Sequence, residues 1–173
     1  SGDGKADACI RRADGIHCAV MNSAGTAFGA MTRWDPMFSD GNGFTQAQYG
    51  LTIAFPDLNR DGKADLCARG TLGIYCGISN GSGFSSPTLR GIAFGNAAGW
   101  SAEGRWSTLQ YVRLAPYGLW ACGRVPSGSS AGIACARYDE GVSRFGALVR
   151  WSEHFTDAEG GNDPSVYRTI QFA

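Results

Sequence analysis

Asp57-Leu58-Asn59-Arg60-Asp61-Gly62-Lys63-Ala64-Asp65-Leu66-Cys67 decides how this 173-residue chain is read, because the same phrase occurs twice. Its echo, Ser1-Gly2-Asp3-Gly4-Lys5-Ala6-Asp7-Ala8-Cys9, lies 58 residues upstream, and each copy opens a C-x8-C pair closed by Gly-Ile-His-Cys or Gly-Ile-Tyr-Cys. Self-similarity at such a period marks modular folds in which each unit buries its apolar face against the next. Aligned on cysteines, the chain is one array of three units of roughly 57 residues, with approximate bounds 1–55, 56–111 and 112–173.

Within a unit the pattern is that of short strands. Thr52-Ile53-Ala54-Phe55, Thr108-Leu109-Gln110-Tyr111 and Thr169-Ile170-Gln171-Phe172 alternate with a period of two and read as first strands. The acidic loop follows, then two cysteine-bearing strands, 64–69 and 73–79 in the second unit. After the turn Asn80-Gly81-Ser82-Gly83-Phe84 comes a fourth strand, seen as Ala30-Met31-Thr32-Arg33-Trp34 and Ala147-Leu148-Val149-Arg150-Trp151. A longer loop with Phe38-Ser39-Asp40, Phe94-Gly95-Asn96 or Phe155-Thr156-Asp157 leads to the next unit. The 26 glycines separate alternating apolar segments and suit tight turns, whereas no helical periodicity stands out. The predicted class is all-β, with four antiparallel strands per unit, the content of one β-propeller blade. The chain starts inside an acidic loop and ends at Phe172-Ala173, which aligns with Phe55-Pro56, so its ends complement each other. Three blades fall short of the roughly four to eight that close a ring. Closure is therefore expected from self-association, most simply two chains giving six blades, or from a longer precursor.

The six cysteines fall as Cys9/Cys18, Cys67/Cys76 and Cys122/Cys135, one pair per unit. Of the roughly 15 connectivities open to six cysteines, repetition selects the pairing within units. Bridging Cys67 to Cys76 sets Ala68 opposite Tyr75, Arg69 opposite Ile74 and Gly70 opposite Gly73, leaving Thr71-Leu72 as a two-residue turn. Each short loop so closed stabilises by about 2.5 to 3 kcal/mol in the chain-entropy picture. Disulfides imply an oxidising compartment, so a secreted, extracellular protein is expected. C-x8-C lacks the spacing of structural zinc.

Composition narrows the partners. With 43% hydrophobic and 12% aromatic residues the chain has ample material for a core. Fifteen basic and fifteen acidic residues balance to zero, which removes the electrostatic footprint of a nucleic-acid or polybasic membrane binder. No stretch nears 18 apolar residues and no signal-peptide pattern opens the chain, so membrane insertion is not expected and the chain reads as soluble and processed.

The repeated loop carries the chemistry. Asp57, Asn59, Asp61 and Asp65 occupy positions 1, 3, 5 and 9 of D-x-N-x-D-G-x-x-D, with the Lys63 carbonyl at position 7. Calcium takes six to eight hard oxygens, and alternate side chains of a tight loop converge to supply them. The first copy keeps Ser1, Asp3, the Lys5 carbonyl and Asp7 but lacks the leading aspartate, so whether it binds metal stays open. The third unit has Leu114-Ala115-Pro116-Tyr117-Gly118-Leu119-Trp120 instead and is expected to hold this loop by packing of Tyr117 and Trp120. No constellation of carboxylate, histidine or lysine beside the loop suggests an activated water, so calcium here is expected to be structural.

These residues, D-x-N-x-D-G-x-x-D-x-C followed by Gly-Ile-Tyr-Cys and Asn-Gly-Ser-Gly-Phe, resemble the FG-GAP or VCBS repeats of integrin α-like β-propellers. In length and spacing they are most similar to repeats of secreted bacterial proteins and of fungal propeller lectins that bind N-acetylglucosamine. The resemblance implies structural calcium at Asp57, Asn59, Asp61 and Asp65, and sugar pockets between neighbouring blades.

Carbohydrate binding is the leading functional expectation. Sugars present apolar faces and a hydroxyl fringe, so a neutral chain with five tryptophans suits them. Trp34 and Trp151 share one position at the end of the fourth strand, each after an arginine, Arg33 and Arg150, while Trp100 shares a loop position with Phe44. Each tryptophan reads either as a stacking platform or as inter-blade core, since core also recurs at equivalent sites. His154 and Asp40 are weaker polar candidates. The alternative is a non-catalytic protein-interaction or assembly module on the same scaffold. Only His17 and His154 are present, without a G-x-S-x-G, H-E-x-x-H or P-loop motif, so no enzymatic activity is expected.

Overall fold

The computed structural model describes residues 1–171; Phe172, the end of the third predicted first strand, lies outside them. The described residues form three sheets whose elements follow the repeat. β1 (Ala8–Arg12), β2 (Gly15–Ala19) and β3 (Thr32–Asp35) are ordered β1-β2-β3. β4 (Leu66–Arg69), β5 (Ile74–Gly77) and β6 (Thr88–Gly91) are ordered β4-β5-β6. In the third repeat β7 (Gln110–Leu114), β8 (Gly118–Val125), β9 (Gly132–Asp139) and β10 (Arg144–Phe145) are ordered β10-β9-β8-β7, and β11 (Val149–Ser152) pairs with β9 as well. The pairs β1–β2, β2–β3, β7–β8, β8–β9, β9–β10 and β9–β11 are antiparallel. The chain is thus mostly β and antiparallel, as its alternation predicts.

Sulfur fixes the central pairing. Cys9–Cys18, Cys67–Cys76 and Cys122–Cys135 are all bonded, and among the described residues no cysteine is free. Cys9 stands opposite Cys18 and Cys122 opposite Cys135 in their ladders. Gly70 and Gly73 exchange backbone hydrogen bonds at 2.7 and 3.3 Å around Thr71-Leu72, the two-residue turn read from spacing.

The chain divides into two compact units, Ser1–Ala68 with Tyr75–Thr88, and Arg69–Ile74 with Leu89 onward. In the first, Ile16, Trp34, Phe38, Phe44, Tyr49 and Leu66 form the core, with Phe38 and Phe44 ring centroids 4.6 Å apart. In the second, Ile133 packs on the Cys122–Cys135 bridge with Val112 and Trp120 around it, Trp100 lies against Phe94 at 4.7 Å, and Tyr138 against Phe145 at 5.0 Å. Central strands β2 and β8 are almost wholly buried along their length, so both faces of those sheets are covered.

Two expectations are corrected. A helical turn precedes each segment read as a first strand, and the segment's threonine lies in the turn that ends it, although Gln110 and Tyr111 do open β7. Single-turn helices α1 (Ala47–Gly50), α2 (Glu103–Trp106) and α3 (Pro164–Tyr167) bury Tyr49, Trp106 and Tyr167. Thr52, Thr108 and Thr169 then close them, each hydroxyl donating to the carbonyl three residues earlier at 2.7, 2.8 and 2.6 Å. One turn is too short to leave a 3.6-residue period. Of the second repeat's first strand only a bridge remains, Ala54 with Cys67. The third-repeat loop is likewise not packed by Tyr117, which is 63% exposed. With no acids to converge, β7 and β8 run on into a hairpin, Val112 opposite Trp120 and Leu114 opposite Gly118.

Candidate functional site

Three glycines open the arms that carry the second cysteine of each pair, Gly15, Gly73 and Gly132, with φ of +129°, +149° and +121°. A Cβ there would stand 2.0 Å from the Asp35 carbonyl oxygen, 1.9 Å from that of Gly91 and 1.8 Å from that of Ser152. The missing side chain lets the outer strand close in, so the loop after it leaves the sheet at one place in every repeat. A second recurring device holds that loop. Its backbone N–H at Asp40, Asn96 or Asp157 donates to the hairpin turn, to Ala13, Thr71 and Pro126 carbonyls at 2.9, 2.8 and 3.0 Å. The arginine two residues after each first cysteine reaches the same position. Arg11 pairs with Asp40, Arg69 donates to the Phe94 carbonyl at 2.8 Å and to Asn96, and Arg124 donates to the Phe155 carbonyl and to Asp157. Sequence reading missed this clasp, although C-x-R and F-x-[D/N] recur at matching offsets. Asp40, predicted as a weak sugar contact, belongs to it.

In the third repeat the clasped loop borders a groove of about 750 Å³ lined by Trp151, Ser152, His154, Glu159, Tyr167 and Thr169 among others. The β11 register slips between Arg150 and Ser152, a bulge that takes Trp151 out of the ladder. The indole is 41% exposed and stands edge-on to Trp120 at 4.8 Å. Phe155 holds φ +69°, a left-handed backbone rare for an aromatic residue, and this conformer carries the carbonyl that Arg124 takes. Arg124, buried, also lies over the Tyr167 ring at 5.5 Å. His154 Nδ1 meets Glu159 Oε1 at 2.9 Å, and the Glu159 carboxylate is fixed from behind by Thr156 in a capping box. That hydrogen bond, with the negative charge behind it, raises the His154 pKa and lowers that of Glu159. Arg150, flanking the groove, donates to the Ser129 carbonyl at 3.2 Å and pairs with Glu153 at 2.8 Å.

The structure therefore brings Trp151, Arg150 and His154 together and sends the other sugar candidates elsewhere. Trp34, 9% exposed, packs on Phe84 at 5.4 Å with its indole N–H donated to Thr32. Trp100 is fully buried, and a Cβ on Gly123 would come within 2.7 Å of its ring. Arg33 lies 3.5 Å from Asp14 at the surface.

In the acidic loop Asp65 is buried, its two oxygens accepting from Leu58 N at 2.9 Å and Ser79 N at 2.7 Å. Asp57 accepts from Gly62 N, Asn59 from Asp61 N, and Asp61 from Lys63 N, with Arg60 and Gly62 at positive φ making the turn. Burial, then the charges of Asp61 and Asp57, raise the Asp65 pKa. In the first copy Asp7 accepts from Met21 N at 3.0 Å as Asp65 does from Ser79, Asp3 accepts from Lys5 N at 3.0 Å, and Ser1 donates to Asp3 at 2.9 Å. Among the described residues no three His, Cys, Asp or Glu side chains group as a metal site.

No family model and no curated protein matches the chain, so the FG-GAP or VCBS resemblance rests on the sequence motifs alone. Among solved structures, a lectin from Agrocybe aegerita, described by its specific recognition of non-reducing terminal N-acetylglucosamine, matches 92% of this chain with a TM-score of 0.72. The two share a fold. Identity is 24%, and the chain spans 38% of that structure's length. Likeness at that identity carries the arrangement of strands and no residue roles.

Proposed function

We propose that this chain is a secreted, non-catalytic, lectin-like module that binds neutral or N-acetylated sugars in the third-repeat groove. The observation that carries the reading is the half-exposed indole of Trp151 at the mouth of a groove whose polar groups, Ser152, His154, Glu159 and Thr169, ring it. An exposed aromatic plane with a polar fringe fits a pyranose, and the N-acetylglucosamine recognised by the structurally similar lectin agrees with that chemistry. The three sheets serve as blades of a propeller, completed by a second copy or by further repeats. Three disulfides suit an extracellular setting. Arg124 is not a free acid or base, being committed to Phe155 and Asp157, and the His154–Glu159 pair sits 78% and 45% exposed rather than in a water-excluded site.

A glycan array with competing free sugar tests this, followed by calorimetry of the purified chain. Saturable binding inhibited by N-acetylglucosamine is expected, with Trp151→Ala weakening it by about 1 to 3 kcal/mol, the range for losing a stacked aromatic contact. Trp34→Phe is expected to leave sugar affinity unchanged. A blank array favours a protein partner on the same scaffold.

Calcium is proposed as the structural ion of the Asp57–Asp65 loop, where the donor chemistry fits: Asp57, Asn59, Asp61 and the Lys63 carbonyl are hard oxygens around one turn, and crowded carboxylates are relieved by a cation. Asp65 holds the two ends of the loop. Calcium at 100 times its Kd is expected to raise the melting temperature by about 5 to 10 °C, an increment that chelation or Asp61→Ala removes. Equal melting temperatures with calcium and with chelator overturn the assignment.

A further inference from the structure

The second repeat has its own groove, and its lining differs in kind from that of the third. Aligning Phe94 with Phe155 places Arg90 where Trp151 stands, Ile92 at Glu153, Ala93 at His154 and Ala98 at Glu159. The aromatic plane and every acid and imidazole of the third groove are gone. What remains is a cavity of about 1010 Å³ walled by Leu72, Leu89, Ile92, Phe145 and Leu148. Ile92 and Leu72 are 74% and 60% exposed, an apolar surface left in water. Its charged lining groups are both cationic, Arg90 and Arg144, with no carboxylate among them. Arg90 donates to the Ser143 carbonyl at 3.1 Å, yet its Nε is buried without a hydrogen-bond partner. A sugar finds no exposed stacking plane here, since Phe145 is buried, and among the described lining residues only Thr71 offers a hydroxyl.

We propose that this groove binds a medium-chain acyl carboxylate, the chain lying along Leu72, Ile92 and Leu148 and the headgroup meeting Arg90 and Arg144. The volume sits at the upper end of the roughly 300 to 1,000 Å³ typical of small-molecule sites, enough for a folded or extended aliphatic chain. Guanidinium groups at the edge of a low-dielectric cleft favour an anion, and a carboxylate accepts their paired N–H donors. The ligand class follows from that combination: apolar length supplies affinity and the two cations select an anionic end. This site is separate from the sugar groove and does not rest on the reading given to it.

Titration calorimetry of the intact chain with sodium decanoate, kept below its micelle concentration, tests the proposal. Single-site binding is expected, about fourfold tighter per added methylene between octanoate and decanoate, the increment for burying one CH₂. Arg144→Gln is expected to weaken decanoate at least tenfold while leaving 1-decanol unchanged, and Ile92→Glu to abolish both. Both residues are exposed, and circular dichroism with an unchanged melting temperature confirms that the variants fold. Absence of decanoate binding at 1 mM overturns the proposal, as does decanoate affinity indifferent to Arg144→Gln. Dimerisation abolished by Ile92→Glu with no acyl binding overturns it too and assigns the groove to a second copy. Loss of sugar binding with decanoate binding intact leaves it standing.

Discussion

Alanine at Gly73 is expected to cost about 3 to 5 kcal/mol of folding stability, with comparable losses for Gly15→Ala and Gly132→Ala, the largest effects of any methyl-sized change in this chain. Two penalties add. At φ +149° an L-residue is strained, and its Cβ would lie 1.9 Å from the Gly91 carbonyl oxygen and 2.8 Å from the carbonyl carbon. Those are backbone atoms, so no side-chain rotation relieves the contact. The outer strand must move away, and its ladder hydrogen bonds go with it. Gly128→Ala separates the two penalties, because Gly128 has φ +91° with nothing within 4 Å of its virtual Cβ. It is expected to lose only about 1 kcal/mol. Urea unfolding of the four variants checks this. Equal losses at Gly73 and Gly128 would leave strain as the whole effect and remove the close approach of the outer strand as a cause.

The same glycines show what was legible in the sequence. Strand alternation, the C-x8-C spacing and the two-residue turn are local properties, and they placed β4, β5 and the bridges where the structure has them. Gly15 and Gly73 are written in the Gly-Ile-x-Cys arm, but the reason for them, a carbonyl arriving from a strand some twenty residues later, is a tertiary fact. The single-turn helices left no period to detect, and threonines that look like strand residues turn out to close them. Tryptophan recurrence could not separate platform from core, since Trp34 and Trp151 share a position and the same bulge, and differ in what covers them: Trp34 packs on Phe84 and is 9% exposed, whereas Trp151 is 41% exposed. The arginine clasp was visible as a spacing, yet an arginine beside a cysteine reads as surface until its guanidinium is seen buried. A groove's character depends on residues drawn from separate strands and loops, which no single stretch displays.

Removing the clasp in the second repeat is the other large expected effect. Arg69→Met should cost about 3 to 5 kcal/mol, because Arg69 is fully buried and its guanidinium satisfies the Phe94 carbonyl and the Asn96 side chain. Methionine fills the volume but withdraws the donors from the buried Phe94 carbonyl and the half-buried Asn96 side chain. Arg69→Lys should recover little, since one ammonium on a flexible stem cannot reach two acceptors held by a planar fork. Arg11→Met is the built-in comparison. Its partner Asp40 is 43% exposed and Arg11 itself 27%, so water replaces the lost ion pair and the cost should stay under about 1 kcal/mol. Asn96→Ala in a cycle with Arg69→Met assigns the coupling: non-additivity above about 1 kcal/mol locates it in that bond. The consequence for function follows from where the loop goes. Asn96 N is tied to Thr71 while Arg69 holds the loop's carbonyl, so the wall of the second groove at Leu72 and Ile92 is set by this clasp. In the third repeat Arg124 sets the wall at Phe155 in the same way. Arg69→Met is therefore expected to loosen the second groove while the third keeps its sugar affinity, and Arg124→Met to do the reverse.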